Sequence, residues 1–138
     1  MFIQNKNGEV VNVDHIIAVK ICNNSPYQIN VFTEKTETVF DFEFQLDVNR
    51  AMGKLESYLA QAGLRWVQCQ NWRFRSDKIL AINDEPCRNL TVSMVGKDFH
   101  VYTGAQSDED LVKVKKQIAT SLSENFFDSD RPVFMRLA

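Results

Sequence analysis

Histidine, cysteine, glycine and proline are all scarce here, and each shortage removes a class of chemistry. There are two histidines, His15 and His100. Neither has a cysteine or carboxylate nearby at the spacing of a zinc site. The three cysteines, Cys22, Cys69 and Cys87, are odd in number and scattered, which excludes a disulfide framework. They read as reduced thiols, the state expected of a cytoplasmic protein. The five glycines stand alone, so no glycine-rich phosphate loop is present, and GxSxG and HExxH are also missing. No run approaches the ~20 apolar residues of a membrane span. Met1-Phe2-Ile3-Gln4-Asn5-Lys6 lacks the basic start and apolar core of a secretory leader. Charge of one sign is missing too: 16 Lys and Arg stand against 18 Asp and Glu. That balance argues against a strongly electrostatic nucleic-acid binder and leaves room only for a local basic patch.

What is present is a packing composition. The 138 residues are 44% hydrophobic and 25% charged, with ten phenylalanines. This is globular rather than disordered. The length fits one domain over residues 1–138, large enough to bury a core.

The chain reads as one unit used twice. Asp14-His15-Ile16-Ile17-Ala18-Val19 is echoed by Asp77-Lys78-Ile79-Leu80-Ala81-Ile82. Phe2-Ile3-Gln4 is echoed by Trp66-Val67-Gln68, and Ile29-Asn30-Val31 by Leu90-Thr91-Val92. A repeat of this kind is one supersecondary unit used again. We expect repeat one at 1–63, repeat two at 64–125, and an apolar C-terminal tail at 126–138. The join, Gln61-Ala62-Gly63-Leu64-Arg65, is too short for a free linker.

Within the first repeat, period-2 alternation marks strands with one covered face. Tyr27, Ile29 and Val31 share one side. Phe40, Phe42 and Phe44 share another, with Asp41 and Glu43 opposite. The period then becomes three and four: Val48, Ala51, Met52, Leu55 and Leu59 form the stripe of a helix. Asp47 is its expected cap and Gly63 its stop. In the second repeat Leu111, Val114, Ile118 and Leu122 give a matching stripe, capped by Ser107. Asp84-Glu85-Pro86 reads as a loop, and Gly96-Lys97-Asp98 as a hairpin turn. The expected fold class is α+β: two β-β-β-β-α units, with antiparallel sheets each covered by one helix.

That order of elements resembles the Whirly family of single-stranded DNA-binding proteins and the related transcriptional-coactivator fold. The resemblance implies a sheet surface that grips a strand. It lies in element order over most of the chain and carries no residue motif, so it assigns no binding residue. A duplicated pleckstrin-homology-like module has a similar order, since each such unit also ends in a helix.

One segment departs from a plain scaffold. Trp72-Arg73-Phe74-Arg75 interleaves aromatic and cationic groups, with Trp66 before it and Lys78 after it. Such groups can stack bases and neutralise phosphates. In a strand, Trp72 and Phe74 face one way and Arg73 and Arg75 the other, which also describes core on one side and a solvated face on the other. Trp66, Trp72, Arg73, Arg75 and Lys78 are thus the candidate nucleic-acid residues. Phe126, Phe127, Phe134 and Met135 in the tail are the candidate partner-binding residues. An enzyme built on Cys87 or His100 is the remaining alternative, because a Cys–His pair can meet in space without being close in sequence. Asp128 and Asp130 lack the oxygen ladder of a calcium loop. The leading expectation is a non-enzymatic binding module without cofactor or metal, engaging a protein partner or a second copy and no membrane.

Overall fold

The computed structural model describes residues 1–126, with side chains described to Leu122. The expected tail residues beyond Phe126 lie outside this range. Over the described residues the fold is mixed α+β, with two helices and three antiparallel sheets.

Strands β1 (Phe2–Gln4) and β2 (Val10–Asn12) form a small hairpin. A short 3-10 turn then leads to β3 (Ala18–Cys22), β4 (Tyr27–Phe32) and β5 (Glu37–Phe42), a meander that ends in α1 (Gln45–Gln61). The same succession follows: β6 (Trp66–Cys69), β7 (Trp72–Arg75), a 3-10 turn, β8 (Ile79–Glu85), β9 (Asn89–Met94), β10 (Lys97–Val101) and α2 (Asp108–Phe126). Each half therefore has five strands before its helix, where the sequence suggested four. The extra strands are Val10–Asn12 and Trp72–Arg75, each continuing from the turn just before it.

Pairing does not follow the halves. The larger sheet runs β5-β4-β3-β7-β6, so the β6–β7 hairpin completes the sheet begun by the first half. Phe74 pairs with Ala18 and Trp72 with Lys20 across the β3–β7 junction. Strands β10-β9-β8 form the third sheet. One helix per sheet is thus too simple. Helix α1 lies on one face of the five-stranded sheet, and α2 packs beside β6 and the three-stranded sheet.

Two apolar clusters result. The first joins Val19, Ile21, Ile29 and Val31 to Val48, Met52, Leu55 and Leu59 of α1. The second lies between the sheets and joins Trp72, Phe74, Val67 and Cys69 to Leu90, Val92, Phe99, Val101, Ile118 and Leu122. Each fully buried aliphatic side chain contributes about 1.5–3 kcal/mol of transfer free energy.

The helix ends follow local chemistry. Ser107 caps α2: its Oγ accepts from Asp110 N–H at 3.2 Å. Asp47 does not cap α1. The cap position is Phe44, without a side-chain bond, and Asp47 sits in the first turn, where negative charge still favours the helix dipole. Gly63, at φ +75°, ends α1, and Leu64 N–H reaches Leu59 C=O at 2.8 Å. That left-handed step suits glycine. Two further expectations shift. Asp84 and Glu85 belong to β8, held by pairing with Leu90 and Asn89. The β9–β10 turn closes at Val95-Gly96, tighter than the sequence suggested.

Candidate functional site

The alternation in β7 sorts its four residues between two environments. Trp72 and Phe74 enter the inter-sheet core. The Trp72 ring stacks on Phe74 (centroids 5.4 Å apart, planes 8° apart) and on Phe32 (5.7 Å). Trp72 is only 7% exposed, so it offers no open face to a base. Arg73 and Arg75 take the opposite face, as the strand period requires. Arg75 is also closed off: it is 8% exposed, bonds both carboxylate oxygens of Asp77 (2.8 and 3.2 Å), and donates to the Asp14 carbonyl. It ties the first 3-10 turn to the second rather than presenting a charge to solvent. Lys78 is half-buried and lines a separate cleft with His15, Lys35 and Arg75. Trp66, Trp72, Arg73, Arg75 and Lys78 therefore do not form one surface.

Trp66 and Arg73 do meet. They line a cleft of about 520 Å³ with Gln68, Glu56, Arg65 and Ala60, between the end of α1 and the β6–β7 hairpin. Cross-strand pairing sets Gln68 opposite Arg73 and Trp66 opposite Arg75. Arg73 Nη1 donates to the carbonyls of Gln70 and Trp72, both at 3.1 Å. Its Nε stands 3.8 Å from Glu56 Oε1. Burial pushes the guanidinium below its usual value, with Glu56 opposing that shift. The Trp66 indole nitrogen is buried and has no hydrogen-bond partner among the described residues.

The same sheet face carries a second feature at its other end. Ile29, Val31, Phe40 and Phe42 of β4 and β5 meet Leu55, Tyr58, Ala51 and Lys54 of α1, with Ile3 beside them, around an apolar groove of about 270 Å³. Phe40 and Phe42 are only half-buried there. Phe44, expected to complete the aromatic face, has left the strand and is 65% exposed; Leu46, in the first turn of α1, is 56% exposed. Asn5 Nδ2 donates to the Val39 carbonyl at 2.9 Å, pinning the β1–β2 turn to β5.

The residues of the enzyme alternative are dispersed in role. On the outward face of the three-stranded sheet, Glu85 Oε1 accepts from the Thr91 hydroxyl and contacts His100 Nδ1. The Thr91 hydroxyl, and then His100, hold the Glu85 carboxyl below the usual carboxylate range. The hydroxyl donates to the carboxylate and not to the imidazole, so His100 does not activate it. Cys87 is exposed at φ +62°; Cys69 is buried, and burial pushes its thiol up to about 11. Among the described residues, no group of three or more His, Cys, Asp or Glu side chains is placed to hold a metal. No described helix is long and apolar enough to cross a membrane.

The period-2 pattern places Phe40 and Phe42 on a covered face but cannot reveal the groove, because the gap is set by Tyr58 and Lys54 of α1. Glu56, Arg65 and Gln68 of the cleft are not legible in the pattern because they join the end of α1 to the start of β6 and meet Arg73 only through the fold. Of the tail candidates, Phe126 is the last described residue, and Phe127, Phe134 and Met135 lie outside.

No protein-family model matches the chain, and no curated protein matches it. Among solved structures it is similar to a LytTr DNA-binding domain from Bacillus cereus, at 12% sequence identity and a TM-score of 0.49. The alignment covers 91% of this chain and 94% of that one. This likeness is one of loose overall shape.

Proposed function

We propose that the protein is a non-enzymatic binding module that self-associates through the apolar groove between β5 and α1. The observation that carries this reading is Phe40 and Phe42 standing half-buried beside Tyr58, with exposed Phe44 and Leu46 next in the chain. An open apolar groove with further exposed apolar side chains nearby in the chain suits an interaction site. Among the described residues, β5, β6, β8 and β10 each pair on one side only, and such edges are templates for further pairing. A net charge of −2 adds little repulsion between copies. We further read the two halves as copies of one ancestral unit, supported by the 63-residue offset between Asp14 and Asp77 and by the recurring element order.

The test is sedimentation equilibrium over a broad concentration range. Concentration-dependent mass that falls to monomer in a Phe42→Gln variant is the expected result. A monomer at every concentration contradicts self-association.

A second reading, single-stranded nucleic-acid binding, has one supporting observation: Trp66 and Arg73 share a cleft. It predicts salt-dependent anisotropy of a labelled oligonucleotide, lost in Arg73→Ala. Trp72 and Arg75 drop out of that surface, because they are spent inside the fold.

A further inference from the structure

The cleft at the end of α1 has features that packing alone does not require. The Arg73 side chain is 16% exposed, yet its Nη2 has no hydrogen-bond partner among the described residues. Its nearest carboxylate among the described residues, Glu56, is 49% exposed and stands at 3.8 Å, beyond hydrogen-bonding distance. A desolvated guanidinium with spare donors is unusual, because burying a charge without close partners is costly. Ala60 keeps the helix-side wall low, and Gly63 turns the chain away at a positive φ, so the volume stays open. Trp66 supplies a flat apolar wall, and Gln68 an amide beside Arg73. At about 520 Å³ the cleft has the size of small-molecule sites.

We propose that this cleft binds a small organic anion, a carboxylate or phosphate ester with a flat body. The anion sits on the free edge of the Arg73 guanidinium, which suits planar bidentate recognition. The body lies along the Trp66 indole, and Glu56 turns out to solvent as the anion arrives. This site is at the β6–β7 end of the sheet and is independent of the β5–α1 groove.

The probe is phenyl phosphate, titrated into uniformly 15N-labelled protein and followed by amide and indole N–H shifts, with inorganic phosphate in parallel. Expected is a Kd of about 1 mM or tighter, with shifts centred on Trp66, Gln68 and Arg73. Inorganic phosphate is expected to bind at least about tenfold more weakly, since it lacks the body that stacks on the indole. Arg73→Met should weaken phenyl phosphate binding about tenfold or more. Glu56→Gln should tighten it several-fold, because it removes the competing carboxylate. Ala60→Met, at an exposed helix position, should block the cleft without disturbing the fold. Absence of shifts in the native protein, equal binding of the two phosphates, or no gain in Glu56→Gln overturns the proposal. Oligonucleotide anisotropy on the same samples reads the nucleic-acid hypothesis separately.

Discussion

Phe40 and Phe42 on β5 and Trp72 and Phe74 on β7 are the same pattern with different fates. Both pairs alternate with charged residues, and both lie on one five-stranded sheet. On β7 a second sheet covers the aromatic pair, and Phe32 and Phe99 close around it with centroids 5.1–5.8 Å apart. On β5 the pair meets only α1 and the β1–β2 hairpin, and the groove stays open. Alternation tells which residues share a face. It says nothing of what arrives to cover that face, because the cover comes from distant sequence.

The largest effect that can break this contrast is truncation of the closed pair. Phe74→Ala is expected to cost about 3–5 kcal/mol in denaturant unfolding, since the inter-sheet core cannot collapse around the void. Phe42→Ala is expected to cost about 1–2 kcal/mol, because its ring is already half in water. Equal costs at the two positions mean that the groove is as closed as the core.

A smaller effect tests the opposite face of β7. Asp77→Ala leaves the largely buried Arg75 with only the Asp14 carbonyl among the described residues and is expected to cost about 1–3 kcal/mol. A neutral result means that Arg75 reaches solvent and returns to the list of available cations.

Smaller still is the thiol contrast. Cys69 belongs to the closed cluster and Cys87 is exposed. Iodoacetamide at pH 8 should modify Cys87 quickly and Cys69 only on unfolding. The unfolded thiol ionises near its ordinary 9.0, while the folded one keeps its proton to about 11. The unfolded state therefore loses the proton first, and stability should decline as pH rises through that window. A flat profile between those values, after allowance for lysines and tyrosines through a Cys69→Ala control, contradicts the assignment.

Much of the fold was legible because it rests on local periodicity. The stripe Val48, Met52, Leu55, Leu59 placed α1, and Ser107 placed the start of α2. Phe44 was misplaced because a period-2 pattern carries on past the point where a helix begins. The joining of β7 to β3 was not legible, since strand partners are chosen by burial across the whole chain. The same limit hid both candidate sites. The cleft needs Glu56, Arg65 and Arg73 from three segments, and the groove needs Tyr58 beside Phe42. Trp72-Arg73-Phe74-Arg75 looked like a binding strand because a buried aromatic and a base-stacking aromatic have the same sequence signature.

The most direct test of the account is an amide-shift map of the protein on dilution. Self-association through the groove predicts concentration-dependent shifts clustered on Phe40, Phe42, Lys54 and Tyr58, and their disappearance in Phe42→Gln. An unchanged spectrum, or shifts confined to the free edges of β8 and β10, contradicts it.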